Sequence, residues 1–247
     1  MRFTASLRVP SDESLSGSVL RARRRWGLSE RWHNHRNVTA GHGDDALIRW
    51  ARLYDLGLRL WWRRGHRWRS GLLELLDLQP GQRVLDVGSG TGQLTFALAD
   101  RVTPGGSVDG VDAATEMISR AQRKNRRRRR PVTFTEARAQ ELPFPDETFH
   151  AVTCTLALHH VAGDARSTAV EEMHRVVRPG GRLLVADFEP TADGRVPFGP
   201  LFRRGHAMHD GALDEAEQLL AAVGFRDLTR GPTSVRGIGQ VVGTRPA

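Results

Sequence analysis

The densest concentration of chemically capable residues lies between positions 84 and 112. Val84-Leu85-Asp86-Val87 is a short apolar run that leads into Gly88-Ser89-Gly90-Thr91-Gly92. Alternating glycines after a buried strand let backbone come close to a ligand, at the strand end where open α/β sheets bind nucleotides. A dinucleotide fingerprint wants glycine or alanine at position 93, where Gln93 stands. Asp86, two residues before the first glycine, would oppose a pyrophosphate and suit a cationic amino group. Asp112 ends the next apolar run, where a carboxylate can accept both hydroxyls of a ribose. An acidic, phosphate-free nucleoside site with an ammonium group describes S-adenosylmethionine.

Two further residue types bear on chemistry. His159 and His160 follow the apolar run ending at Thr155, at the rim of the same site, and a histidine titrating near pH 6.5 suits proton removal from an acceptor. His160 and His159 are therefore the catalytic candidates, with packing and capping as the competing reading. Cys154 is the one cysteine, which excludes an intramolecular disulfide and every multi-cysteine metal site, so no metal is expected. It reads as a buried small hydrophobe.

The elements that must position these residues alternate. Strands are predicted over Arg83–Val87, Ser107–Val111, Val132–Thr135, Ala151–Thr155, Arg182–Phe188, Arg226–Thr229 and Ile238–Thr244. Helices are predicted over Gln93–Arg101, Ala114–Asn125, Ala165–Val177 and Leu213–Val223, with Arg178-Pro179-Gly180-Gly181 as a stop before a strand. This alternation specifies an α/β fold, doubly wound about a mostly parallel sheet. Leu47, Trp50, Tyr54, Leu58, Trp61 and Trp62 recur at helical steps, and a second helical stretch runs from Trp68 to Leu76. The expected organisation is a basic tail over 1–43, an N-terminal helical cap over 44–80, and a cofactor-binding core over 81–247.

Composition narrows the classes. With 39% hydrophobic and 26% charged residues in 247, the chain is of ordinary globular type, and no run reaches the ~18 to 20 apolar residues of a membrane span. Met1–Leu20 mixes charged and small polar residues, so a cytoplasmic location is expected. The net charge of +9 resides in residues 1–70, which hold 15 arginines against six acidic residues. In the balanced remainder, Arg123, Lys124 and Arg126–Arg130 place seven cations in eight positions. Such a run is either solvated surface or a nucleic-acid contact.

The chain resembles the class I S-adenosylmethionine-dependent methyltransferases over residues 81–188. Beyond the glycine turn, the likeness rests on Glu141-Leu142-Pro143-Phe144-Pro145-Asp146-Glu147-Thr148-Phe149, on Leu158-His159-His160-Val161 and on Arg178-Pro179-Gly180-Gly181-Arg182-Leu183. It is most similar to the group that contains the ubiquinone and menaquinone biosynthesis methyltransferases. The resemblance implies a Rossmann-like seven-stranded sheet. It puts Gly88, Gly90 and Gly92 along the cofactor's methionine portion and Asp112 on its ribose. Ala113 and Met117 would lie against the adenine, Ala139 and Gln140 near its edge, and Leu156 beneath the sulfonium. Arg138 stands where many relatives have an Asp for the adenine amino group, which leaves that recognition to backbone.

Methyl transfer from a sulfonium is an in-line displacement that needs the acceptor positioned and water excluded. The Trp-rich helix near 47–62 and the long stretch Glu189–Gly211 are rich in aromatics and could form an apolar roof. Trp50, Tyr54, Phe198 and Phe202 are thus the expected walls of a site for a small apolar or aromatic acceptor. Two alternatives stand beside this: an RNA-directed methyltransferase using the Arg-rich segments, which predicts steeply salt-dependent binding, and a non-catalytic cofactor-binding module.

Overall fold

The computed structural model describes residues 66–189 and 211–247. The expected tail, the first part of the cap, the 190–210 stretch, and with them Trp50, Tyr54, Phe198 and Phe202, lie outside the described residues.

Seven strands form one sheet in the order β3-β2-β1-β4-β5-β7-β6. They are β1 (Arg83–Val87), β2 (Ser107–Asp112), β3 (Val132–Glu136), β4 (Phe149–Thr155), β5 (Val177–Phe188), β6 (Arg226–Pro232) and β7 (Ile238–Thr244). Strands β1 to β5 pair in parallel, and β7 runs antiparallel to both β5 and β6. The helices are α1 (His66–Leu75), α2 (Gln93–Val102), α3 (Thr115–Arg128), α4 (Gly163–Val176) and α5 (Ala212–Val223).

Alternation along each strand builds a core on both faces. Val84, Val108, Ala151, Leu184 and Val242 face Trp68 and Leu72 of α1 and Leu94 and Leu98 of α2. Leu85, Val152, Leu183, Val185 and Val241 face Val170 and Met173 of α4 and Leu213 and Leu220 of α5. Each such side chain taken out of water contributes roughly 1.5 to 3 kcal/mol. Arg175 of α4 clasps the connection into β4. It donates to the carbonyls of Phe144 and Leu142 (2.8 and 3.1 Å) and pairs with Glu172 and Asp146.

Several boundaries shift from expectation by one to five residues, and two of the shifts have a visible reason. β5 begins at Val177, because Val177 pairs with Phe149 before Arg182 pairs with Ala151, and Arg178–Gly181 bulge out between them. Gly180 takes φ +74° there and donates to Arg245 O at 2.8 Å. Helix α3 continues to Arg128 rather than ending at Asn125. The Arg128 guanidinium sits 4.5 Å from the centroid of the Phe96 ring, and Arg129 closes the helix in the left-handed region with its N–H on Asn125 O.

The strand order sets the site. The C-terminal ends of β2, β1, β4 and β5 lie side by side, so the glycine turn, Asp112, the segment after Thr155 and Asp187 share one edge. Arg130, paired with Asp100 near the end of α2 at 2.8 Å, marks the opposite edge. A strand of this length separates the two by about 17 to 20 Å.

Candidate active site

The three glycines of the turn act in different ways. Gly88 (φ +71°) packs against Ala157, and a Cβ there would overlap that of Ala157. Gly92 (φ +81°) starts α2 against the Phe134 and Phe96 rings. Gly90 (φ +52°) has open space where a Cβ would be, and its N–H donates to Asp112 Oδ2 at 2.8 Å. Asp112 Oδ1 in turn accepts the Ala114 N–H at 2.9 Å, so one carboxylate joins the end of β2 to the glycine turn. Burial raises the Asp112 carboxyl above its ordinary range, and the two backbone N–H groups oppose that rise.

Asp86 lies deeper, 1% exposed. Thr95 of α2 and Thr153 of β4 donate their hydroxyls to its two oxygens at 2.6 and 2.8 Å. Burial pushes its carboxyl up to about 6, against the lowering effect of the two hydroxyls. The Ser89 hydroxyl is buried without a hydrogen-bond partner among the described residues, in the middle of the turn. A bound polar ligand would supply what Ser89 lacks.

The other sequence-predicted residues surround this edge. Ala113 is exposed, while Met117, Ala139, Gln140 and Leu156 are half-buried. Leu156 holds φ +52°, a conformation that costs a branched side chain energy, and its N–H donates to Ala186 O at 2.8 Å. The segment then turns into a 3-10 turn, Leu158–His160. His160 is exposed, and its ring centroid is 4.0 Å from that of His159. The His159 side chain is 4% exposed, and its Nδ1 lies 2.7 Å from Asp187 Oδ1 at the end of β5. Cys154 is buried, and burial together with the charges of Asp187 and Asp86 pushes its thiol up, so it is no nucleophile at neutral pH.

Sequence reasoning missed Asp187, Thr95, Thr153 and Arg166. The Arg166 side chain is 6% exposed; it donates to Val161 O at 2.9 Å and pairs with Glu215 of α5, fixing the far side of the histidine turn. The one available signal was an aspartate ending an apolar strand, Leu183-Leu184-Val185-Ala186-Asp187. Among the described residues, no cluster of His, Cys, Asp and Glu is placed to hold a metal ion.

A family model described as "Methyltransferase domain" matches residues 84–181. The demethylmenaquinone methyltransferase of Geobacillus sp. (strain WCH70) is 36% identical over 189 residues, 67% of this chain and 80% of that protein. The chain belongs to the S-adenosylmethionine-dependent methyltransferases. A second relative in this family, the demethylmenaquinone methyltransferase of Thermus thermophilus, is 40% identical over 137 residues, 56% of this chain. The chain spans 60% of that relative's length. The solved structure of a SAM-dependent methyltransferase from Aquifex aeolicus shares the fold, with a TM-score of 0.58 and 22% identity over 71% of this chain and 88% of that one. The glycine turn, Asp112 and the histidine turn of this methyltransferase all lie within the residues that the family model matches.

Proposed function

We propose that this methyltransferase moves the methyl group of S-adenosylmethionine to a small apolar or aromatic acceptor of the quinone class, in its reduced, hydroxyl-bearing form. The observation that carries the reading is the coupling of Asp112 to the Gly90 N–H and the Ala114 N–H. It braces an acidic group at the end of β2, beside a turn whose Ser89 hydroxyl lacks a partner among the described residues. The shared name of the relatives supports the acceptor class.

In this proposal Asp112 binds the ribose, while Gly88, Gly90 and Gly92 follow the methionine portion. Ala113, Met117, Ala139 and Gln140 enclose the adenine, and Leu156 lies below the sulfonium. Asp86 serves as a buried acidic group beneath the turn, because Thr95 and Thr153 already occupy its oxygens. Trp50, Tyr54, Phe198 and Phe202 wall the acceptor, and the histidine pair supplies proton transfer. A cytoplasmic location goes with this proposal. S-adenosylmethionine brings an electrophilic methyl on sulfur; the chain's residues bind, orient and exclude water.

Incubation with methyl-labelled S-adenosylmethionine and a demethylated quinol in detergent micelles tests the reading. Label recovered in a quinone one methyl heavier is the expected result. Cofactor binding without transfer to any quinol, together with labelling of added structured RNA, would replace it with the RNA-directed alternative.

A further inference from the structure

The carboxylate of Asp187 is 1% exposed and surrounded by donors. The His159 N–H reaches Oδ2 at 3.2 Å, the Phe188 N–H reaches Oδ1 at 2.8 Å, and His159 Nδ1 lies 2.7 Å from Oδ1. Each oxygen accepts one backbone N–H, which favours the carboxylate form, and a carboxylate facing Nδ1 can only accept from it. We infer that Asp187 is a positioning residue that holds His159 with the proton on Nδ1, so that Nε2 carries the free lone pair and serves as the general base of methyl transfer. The inference rests on the proposed methyl transfer to a hydroxyl-bearing acceptor and names the group that activates it.

Several contacts keep the imidazole where Asp187 puts it. Phe188 lies edge-on to the His159 ring at 5.0 Å, and the His160 ring lies 4.0 Å away. Arg166 holds the turn by the Val161 carbonyl. Leu158 is buried in the core at the start of the same turn. One carboxylate holds the residue at its backbone N–H and the ring at Nδ1, so the ring cannot turn without losing the Nδ1 bond. Ala157, two residues earlier, touches Gly88 of the cofactor turn, which places the turn beside the methyl-donor site.

His159 Nε2 takes the acceptor's hydroxyl proton, and the electron pair so released, carried through the ring, forms the new bond to the methyl carbon. The methyl–sulfur bond breaks and its pair stays on sulfur as a neutral thioether. The ring proton at the methylated carbon moves to the oxygen and restores the hydroxyl. The imidazolium, neutralised by Asp187, then passes the one surplus proton to water. A positioned base of this kind contributes about 10²- to 10⁴-fold in rate.

The test is the tautomer itself. The protein, labelled with nitrogen-15 at its histidines, is compared with Asp187→Asn at a pH about two units above the ordinary imidazole range, with His159→Gln identifying the resonance. Long-range proton–nitrogen spectra should show His159 protonated on Nδ1 in the parent. The Asn variant, whose amide can donate to the ring, should shift population toward the Nε2–H form. Turnover of the quinol should fall roughly 10- to 100-fold in Asp187→Asn, while the acceptor KM and cofactor Kd stay within about twofold, a split that loss of packing alone does not produce. An Nε2–H tautomer in the parent overturns the inference, and that result needs only the parent protein should the variant fail to fold. A shifted tautomer with unchanged turnover also overturns it. The expected tautomers with no quinol methylated by the parent would leave the dyad standing and refute the acceptor reading instead.

Discussion

Gly88 and Ala157 touch so closely that residue 88 has no room for a side chain, and the contact joins the turn after β1 to the turn after β4. The glycine turn and the histidine turn therefore pack directly against each other. Gly88→Ala must both push Ala157 away and hold a Cβ at φ +71°. Overpacking and left-handed backbone together should cost about 2 to 4 kcal/mol, read from urea unfolding, with cofactor affinity falling as well. A variant with parental stability would show that the contact yields freely.

Asp86 gives a pH signature. Its carboxyl is pushed up to about 6 from 3.8 by burial, so the folded protein holds this proton more tightly than the unfolded chain. Its contribution is at its best below about pH 4, declines as pH rises through the folded value, and levels off above about pH 7, a change of about 3 kcal/mol. Asp86→Asn cannot ionise. Its stability relative to the parent should rise by up to that amount between about pH 4 and 7. Stability curves that run parallel over this range would mean the carboxylate is ionised throughout.

Much of this architecture was readable before the structure. β1 and β7 begin and end where apolar patterning put them, because their neighbours are turns rich in glycine and polar residues. Patterning does not report pairing, so the extra residues of β5 at Val177 and the antiparallel run of β7 appeared only with the sheet. The glycine turn and Asp112 were legible because they are sequence-local and their spacing is itself the signal. Asp187 was not, since it reaches His159 across 28 positions through the adjacency of β4 and β5. Arg166 and Glu215 likewise meet only because α4 and α5 cover the same face.

Arg166 offers a test of how firmly the histidine turn must be held. Arg166→Met keeps the buried length and removes the bonds to Val161 O and Glu215. Stability should fall by roughly 1.5 to 3 kcal/mol, and turnover should fall further than cofactor affinity. Equal losses in both would assign Arg166 to packing alone.

The cationic run at the end of α3 leads away from the glycine turn: Lys124 donates to Thr91 O at 3.1 Å, and Arg130 pairs with Asp100 near the end of α2. Arg126, Arg127 and Arg129 are exposed, so replacing all three with Gln should leave stability within about 0.5 kcal/mol per site. Quinol methylation should be unchanged. Loss of methyl transfer in this triple variant would point to an acceptor that binds through its phosphates.

Calorimetric titration with S-adenosylhomocysteine tests the account most directly, because every assignment depends on the site between Gly90 and Asp112. One site per chain is expected, with an affinity reduced by about 1.5 to 3 kcal/mol, roughly 10- to 150-fold, in Asp112→Ala. Unchanged affinity in that variant, or binding of NAD in preference to S-adenosylhomocysteine, would contradict it.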